Sequence, residues 1–274
     1  MQAEGIALVT GASRGIGRAV SLELGRRGFE VVASMRDPAD GAALLAEAKR
    51  AGLAVRVARL DVDEPASIAL PDGLRVLVNN AGIEAAHLPV EHAPDALWRA
   101  LFETNLFGLL EVTRRALPKL RAAGGGVVCN VTSCSILVPM PLFAAYRASK
   151  AAVSALGESL RVEAAPFGIR VLEVLPGAIA TDMFARSRRV PEAARCPGYE
   201  ALAARVHDAR ESSAAGATPA DVVARAIADA ILDDGAPLRV ACDPMGAGLL
   251  AAWREQDDEA LARPMLALFG QPPI

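Results

Sequence analysis

Hydrophobic and polar positions along the chain follow two patterns that alternate. Short apolar runs rich in β-branched residues predict buried strands, and longer segments with apolar residues every three to four positions predict amphipathic helices. The strand pattern occurs at residues 6–10, 30–34, 55–59, 75–79, 127–132, 169–175 and 238–242. The helical pattern occurs at 15–27, 39–51, 95–122, 143–165 and 218–233.

This alternation predicts a parallel sheet with helices on both faces, because parallel strands need crossover connections. The strands are apolar at nearly every position, which is typical of strands that are covered on both sides. We therefore expect an α/β fold with a doubly wound parallel sheet of about seven strands. The length suits a single domain over residues 1–274.

Two segments depart from the alternation. Residues 182–217 include RRVPEAARCPGYE and ESSAAGATP and predict a long irregular connection. Such connections often serve as lids, and a disordered insertion is the alternative. Residues 243–274 form a C-terminal extension beyond the last predicted strand. The segment between Asp61 and Arg75 leaves room for about one helical turn.

Composition and charge exclude several classes of function. The chain is 53% hydrophobic, so it can bury a sizeable core, and its net charge of −3 with scattered Lys and Arg does not indicate nucleic acid or an anionic membrane surface. The four cysteines have no CxxC spacing and there are three histidines, so we expect no metal site and reduced thiols in a cytoplasmic protein. The uncharged stretch 127–146 contains Asn130, Pro139 and Pro141, so no membrane span is expected.

The stretch AAYRASK, residues 144–150, places a tyrosine and a lysine one helical turn apart. Residues i and i+4 share a helix face, and an ammonium beside a phenol favours the phenolate. Lys150 would thus lower the pKa of Tyr146 and make it a usable acid or base. The pair by itself is also compatible with an ordinary helix that carries a half-buried tyrosine.

A glycine-rich turn, TGASRGIG, joins the first strand to the first helix. Such a turn lets backbone N–H groups approach a diphosphate at the helix N-terminus. Gly11 would allow the tight turn, Gly15 the close approach, and Gly17 the packing of helix on strand. A plain tight turn is the alternative, because the spacing differs from the usual dinucleotide fingerprint.

Further polar motifs follow the carboxyl ends of later strands, where open α/β sheets bind ligands. NNAG (79–82) follows the fourth strand, Ser133 the fifth, and PGAIAT (176–181) the sixth, while Asn105 lies inside a helical segment. Together these motifs, the glycine turn and YRASK resemble a classical short-chain dehydrogenase/reductase over about residues 5–185. PFGIRVLEVLPGAIATDMF and the C-terminal extension resemble its hydroxysteroid and retinol dehydrogenase branch.

The resemblance implies a Rossmann-type fold, a nicotinamide cofactor and a homodimer or homotetramer. It implies that Tyr146 transfers a proton, Lys150 binds the nicotinamide ribose and lowers the tyrosine pKa, Ser133 binds the substrate oxygen, and Asn105 holds a water in a proton relay. The residues that it places on the cofactor are Gly11, Ser13, Arg14, Gly15, Ile16, Gly17, Arg36, Asp61, Val62, Asn79, Ala81, Gly82, Tyr146, Lys150, Pro176, Gly177, Ile179 and Thr181.

The expected reaction is oxidoreduction between NADP(H) and an apolar secondary alcohol or ketone, similar to a steroid, retinoid or other lipid. The substrate would contact Ser133, Met140, Leu142, Met183 and Phe184, although core packing is the alternative for the four apolar side chains. A reductase of 3-oxoacyl thioesters and a non-catalytic NADP-sensing regulator are the rival functions.

The preference for NADP(H) over NAD(H) is predicted from VVASMRDP, residues 31–38. NAD-preferring relatives end the second strand in an acidic residue, which accepts bonds from the ribose 2′-OH. Met35 stands there in this chain, and Arg36 and Arg14 could converge on a 2′-phosphate. Asp37 is expected to cap the helix after Pro38, and binding of the ribose by its carboxylate is the alternative. Solvated surface arginines are the alternative.

Overall fold

A seven-stranded parallel sheet forms the centre of the computed structural model, which describes residues 1–270. Its strands are β1 (Ile6–Val9), β2 (Glu30–Met35), β3 (Val55–Arg59), β4 (Leu74–Asn79), β5 (Gly126–Val131), β6 (Ile169–Val174) and β9 (Arg239–Val240). Their order is β3-β2-β1-β4-β5-β6-β9, and all neighbouring pairs are parallel. Two short strands, β7 (Ile179–Ala180) and β8 (Thr218–Pro219), pair separately.

Ten α-helices connect and cover the strands within the described residues. They are α1 (Gly15–Arg26), α2 (Ala42–Arg50), α3 (Asp95–Phe102), α4 (Leu109–Ala122), α5 (Ala144–Ala164), α6 (Asp182–Ser187), α7 (Glu200–Ala214), α8 (Ala220–Leu232), α9 (Pro244–Glu255) and α10 (Asp258–Phe269). None of the helices in residues 1–270 is long and apolar enough to cross a membrane.

Successive residues of each central strand pack into opposite faces of the sheet. In β1, Ala7 and Val9 join the cluster that α1, α2 and α8 cover, while Leu8 joins the cluster that α4 and α5 cover. In β5, Cys129 joins the first of these clusters and Val128 joins the second. The two clusters explain why the strands are apolar at almost every position, and the predicted doubly wound sheet is confirmed.

Several predicted elements differ in detail from the structure. The predicted irregular connection at 182–217 is wrong, because α6, a 3₁₀ turn at Glu192–Arg195 and α7 occupy most of it. The long helix predicted at 95–122 contains a π-helical turn, Glu103–Gly108, between α3 and α4. The last strand is only two residues long, since its partner β6 pairs with it only at Glu173 and Val174.

Other predictions at these boundaries are confirmed. The segment after β3 contains one short 3₁₀ turn, Pro65–Ser67, as expected. Asp37 caps the 3₁₀ turn Pro38–Gly41, because its carboxylate accepts a bond from the Ala39 N–H at 2.9 Å. The C-terminal extension continues beyond β9 as α9 and α10. Its last four positions, 271–274, lie outside the described residues.

A third apolar cluster joins the 182–217 segment to the end of the chain. Leu142 and Phe143, which precede α5, pack there with Val206 of α7 and Phe269 of α10. Arg205 of α7 also donates a hydrogen bond to the carbonyl of Phe269 at 3.1 Å. The C-terminal helix therefore supports α7 from the outside.

Candidate active site

The glycine turn after β1 is held in a shape that excludes side chains. Gly11 has φ of +65°, and a Cβ on it would lie 2.8 Å from the Cα of Ala81. A Cβ on Gly17 would lie 2.5 Å from the carbonyl oxygen of Gly11. Glycine is therefore required at both positions, one for the left-handed backbone and the other for close packing of α1.

The side chains of Thr10 and Asn80 fix this turn against the NNAG segment. The Asn80 amide donates to the carbonyls of Thr10 at 2.9 Å and Gly11 at 3.1 Å, and the Thr10 hydroxyl accepts from the N–H groups of Asn80 and Ala81 at 3.0 Å. Asparagines that follow a buried strand can hold neighbouring loops through bonds to the backbone, as Asn80 does here, and Thr10 was not among the predicted site residues. Their spacing carries no separate signal, because the contacts form only when β1 and β4 are neighbours.

The N-terminus of α1 is left without a side-chain cap. Arg14 precedes the helix in an extended conformation and makes no capping bond, and Gly15 has φ of +56°. The first-turn N–H groups and the helix dipole therefore favour an anion such as a diphosphate. Thr181 approaches the same point, since its Cγ2 would lie 3.3 Å from a Cβ on Gly15. These residues fit a dinucleotide cofactor as the sequence predicts.

Asn105 lies in the π-helical turn and is fully buried. Its side-chain oxygen accepts from the N–H of Ile83 at 2.8 Å, and its amide donates to the carbonyl of Ile83 and to Ser149 Oγ, both at 3.0 Å. The Ser149 hydroxyl in turn donates to the carbonyl of Tyr146 at 2.7 Å. Asn105 thereby joins the NNAG segment to α5 beside the tyrosine. π-Helical turns are frequent at functional sites.

Lys150 is buried to 5% exposure on α5. Its Nζ donates to the carbonyl of Val131, the last residue of β5, at 3.0 Å. A Cβ on Gly82 would lie 3.3 Å from this Nζ and 3.1 Å from Asn105 Oδ1, so both side chains meet beside the NNAG turn. Burial lowers the pKa of Lys150 from 10.5 to about 8.

The Ser133 side chain lies close enough to the Tyr146 hydroxyl to lower its pKa, although thirteen positions separate the two residues in the sequence. Ser133 follows β5 at the edge where the sheet binds ligands, and its Oγ accepts from the N–H of Ser135 at 3.2 Å. The two hydroxyls that the sequence assigned to the reacting oxygen are therefore adjacent.

The pKa of Tyr146 does not follow the prediction. Burial raises it above the ordinary range, the negative charge of Glu84 raises it further, and the hydrogen bond from Ser133 and the charge of Arg210 lower it. The expected lowered pKa is therefore not found in the protein by itself, because burial outweighs the charges around the phenol.

Known proteins share this sequence pattern. The sequence model of a family described as short chain dehydrogenase matches residues 5–191, which is more than half of the chain. The chain belongs to the short-chain dehydrogenase/reductase family. It is an oxidoreductase that acts on CH–OH groups with NAD(P) as the other reactant.

Individual relatives of this dehydrogenase extend the comparison. It is 37% identical to a 3beta-hydroxysteroid dehydrogenase 1 from Eggerthella lenta over 68% of this chain and 75% of that one. It is 33% identical to an NADPH-dependent 1-acyldihydroxyacetone phosphate reductase from Saccharomyces cerevisiae, over 87% of this chain and 82% of the relative. The crystal structure of a short chain dehydrogenase from Burkholderia cenocepacia in complex with NADP matches with a TM-score of 0.75 at 29% identity, over 99% and 100% of the two chains.

Most predicted cofactor residues of the dehydrogenase lie around the glycine turn, but Asn79 does not present its side chain there. The Asn79 side chain is buried and donates to Thr113 and Asn130, both at 2.9 Å, so it joins β4 to α4 and β5. A cofactor contact at this position would have to come from the backbone. The Asn79 side chain itself has a structural role, and the predicted cofactor contact at this position stays a prediction.

The remaining predicted cofactor residues fall into three groups. Asp61 and Val62 follow β3, where the Asp61 carboxylate accepts from the N–H of Asp63 at 3.1 Å. Pro176, Gly177 and Ile179 follow β6, and the Gly177 N–H donates to Asp243 at 2.7 Å. Ser13 and Ile16 lie half-buried in the glycine turn, and Arg14 and Arg36 are exposed beside it with no ion pair within residues 1–270.

The apolar side chains predicted to contact the substrate divide between the third apolar cluster and α6. Met140 and Leu142 belong to the apolar cluster that carries α7 and α10, so core packing accounts for much of their burial. Leu142 has φ of +65°, a left-handed conformation that is strained for leucine. Phe184, in the first turn of α6, is stacked by the guanidinium of Arg210 at 5.4 Å from its ring centre. Met183 beside it is half-buried.

A polar cluster next to Tyr146 was missed by the sequence analysis. The Oε1 of Glu84 receives hydrogen bonds from His87 Nε2 and Ser187 Oγ, both at 2.9 Å, and lies 3.5 Å from an Nη of Arg210. The four residues come from the loop after β4, from α6 and from α7. No sequence spacing connects them, since they meet only when the two helices close over the loop.

We expect the segment 182–217 to behave as a lid whose hydrogen exchange slows when cofactor and a ketone are both present, because the site must exclude water. Hydrogen exchange measured by mass spectrometry would report this directly. In Glu84→Gln the anchor of Ser187 and Arg210 is weakened, so exchange in α6 and α7 should rise while β4 and β5 stay protected. Equal exchange with and without the ligands would contradict a lid.

Proposed function

We propose that this dehydrogenase interconverts an apolar secondary alcohol and its ketone, with NADP(H) as the cofactor. The observation that supports this most is the convergence of Asn105, Ser133, Tyr146 and Lys150 at one edge of the sheet, beside the glycine turn. The apolar side chains of the third cluster and of α6 border the same edge, which suits a lipid-like body on the substrate.

The cofactor would supply or accept the hydride, and the protein's own groups handle the proton and the charge on the oxygen. In reduction, the Tyr146 hydroxyl donates its proton to the carbonyl oxygen, and its raised pKa keeps the phenol protonated at neutral pH. Ser133 donates a hydrogen bond to the same oxygen and stabilises the developing negative charge. The Ser133 hydroxyl is fixed before the reaction, since its Oγ is held by the N–H of Ser135.

Lys150 and Asn105 would act behind the tyrosine. The Lys150 ammonium has donors beyond the one that bonds Val131, and these are available to ribose hydroxyls. Asn105 Oδ1 and Lys150 Nζ both border Gly82, which supports the proposed water relay between them. The relay would resupply the proton that Tyr146 loses.

The preference for NADP(H) rests on Arg14 and Arg36. Arg14 is exposed in the glycine turn, and Arg36 is exposed at the end of β2. Met35, which precedes Arg36, is only 2% exposed and carries no charge. Asp37 is used as a cap, so it is not directed at the ribose. Two unpaired guanidiniums and no competing carboxylate favour the additional phosphate of NADP(H).

We expect kcat/KM for NADPH to exceed that for NADH by about tenfold to a few hundredfold, because one charge-assisted hydrogen bond contributes about 1.5–3 kcal/mol. Arg36→Ala should remove most of this difference. The measurement is the loss of NADPH or NADH absorbance with a panel of steroid, retinoid and acyl ketones. Arg56→Ala, a change at an exposed arginine in β3, is the matched control. A ratio at or below one for the native protein would contradict the assignment.

The same panel separates the rival functions. Faster reduction of 3-oxoacyl thioesters than of free ketones would favour the thioester reductase, although the helical lid and the C-terminal helices argue against it. NADPH binding without turnover of any carbonyl would favour a regulator, which has no use for the proton-transfer residues. We also propose a homo-oligomer by analogy with the family, and a cytoplasmic location, which the four free cysteines support.

A further inference from the structure

Arg210 of α7 occupies an unusual position for a charged side chain. It is about four-fifths buried, and its guanidinium lies over the rings of Phe143 at 4.7 Å and Phe184 at 5.4 Å. Phe143 directly precedes α5, which carries Tyr146. The charge of Arg210 lies close enough to lower the pKa of that tyrosine. Since Tyr146 packs against the cluster that contains Phe143, the guanidinium borders the reaction site.

The hydrogen-bonding capacity of Arg210 is largely unused. Its Nε is buried and has no acceptor among the described residues, and its contact with Glu84, at 3.5 Å, is long for a hydrogen bond. The same Glu84 oxygen already receives two bonds of 2.9 Å, from His87 and Ser187. Burying a guanidinium with few partners is unfavourable, and such groups are concentrated at functional sites.

The surroundings define what kind of group could complete the site. The N–H donors of a guanidinium lie in its plane, and a planar carboxylate can accept two of them side by side. The neighbouring rings of Phe143 and Phe184 exclude water and strengthen such a bond. The negative charge of Glu84 nearby disfavours a dianion, so a singly charged carboxylate fits better than a phosphate.

We propose that Arg210 determines substrate specificity by binding a carboxylate that the substrate carries on its apolar body, at a short distance from the reacting ketone. This deepens the proposed function and rests on it. Because α7 supplies the arginine and Phe184 of α6 flanks it, a carboxylated substrate would also draw the two helices together over the site. The substrate class is then an apolar oxo acid or hydroxy acid.

The test compares ten-carbon oxo acids, with the ketone at carbon 2, 3, 4 or 5, with their methyl esters, using NADPH. For at least one ketone position the native protein should use the acid about tenfold better than the ester, judged by kcat/KM. Arg210→Met should remove that preference by slowing the acid alone. Arg188→Met changes a half-buried arginine of the same segment, paired with Glu211 at 3.2 Å, and should keep the preference.

Two results would overturn the proposal. One is native protein that uses the ester as well as the acid at every ketone position, and the other is Arg210→Met protein that loses acid and ester activity equally. If no ketone is reduced at all, the proposed function is wrong. The carboxylate site can then still be tested by measuring how tightly the acids and their esters bind. Calorimetry with NADPH-loaded Tyr146→Phe should then show about tenfold tighter binding of at least one acid than of its ester. Equal binding throughout would rule out the site.

Discussion

Tyr146→Phe should lower kcat for ketone reduction by at least about a hundredfold and leave the affinity for NADPH nearly unchanged. The ring remains and fills the same space, but the proton that reaches the carbonyl oxygen is lost, and general acid–base help is worth roughly 10²–10⁴-fold. The measurement is steady-state turnover on the best ketone of the panel, together with a fluorescence titration of NADPH.

The second tyrosine of the chain provides a matched control. Tyr199 lies just before α7, and its hydroxyl bonds the exposed Glu91 at 2.6 Å, so Tyr199→Phe removes the same atom away from the site. That variant should keep more than about half of the native rate, as surface changes of this kind are usually small. Near-native turnover in Tyr146→Phe would disprove the assignment of the acid.

Lys150→Met should lower kcat/KM by about a hundredfold or more without destabilising the fold at neutral pH. Burial holds the pKa of Lys150 at about 8, whereas the unfolded chain has the ordinary value of about 10.4. At pH 7 the buried charge therefore opposes folding, by about 3 kcal/mol for a difference of this size. Methionine removes that charge, and the lost bond to Val131 offsets part of the gain by about 1–3 kcal/mol.

The effect of Lys150→Met on stability should depend on pH in a definite direction. Between about pH 8 and 10.4 the unfolded state binds more protons at Lys150 than the folded state, so native stability from this residue rises with pH across that window. The advantage of Lys150→Met should therefore be present at pH 7 and vanish near pH 10. Thermal unfolding at both pH values measures it, with the exposed Lys49→Met as control. A large loss of stability at pH 7 would show that the lysine stabilises the fold.

The sequence allowed the sheet and the proton-transfer residues to be predicted because both follow local rules. Apolar runs with two buried faces identify β1 to β6 directly, and parallel strands then bring Ser133 and the NNAG turn to one edge. The short β9 was overestimated, since the pattern of LRVAC does not show where pairing ends. The contacts of the Asn79 side chain and the direction of the Tyr146 pKa shift depend on which side chains lie nearby in the folded chain. The pattern of apolar and polar positions does not contain that information.

The helices of the segment 182–217 and the cluster around Glu84 could not be predicted for a related reason. Pro191, Pro197 and the Gly and Ser residues between 198 and 216 resemble a loop locally. α7 forms nevertheless, because Val206 and Ala203 are buried against Leu142 and Phe269, so tertiary packing overrides weak propensity. Glu84, Ser187 and Arg210 lie more than a hundred positions apart at the extremes, and only the folded chain relates them.

The packing of α10 on α7 ties substrate choice to the far end of the polypeptide. Phe269 packs against α7, the helix that carries Arg210. Arg205 of the same helix donates a hydrogen bond to the carbonyl of Phe269. Substitutions in α10 can thus shift α7, and with it the position of Arg210, while the proton-transfer residues stay in place. The residues for proton transfer and the proposed residue for substrate selection therefore lie on different parts of the fold and can change independently. The former lie at the ends of the central strands and on α5, and the latter lies on α7, which α10 supports.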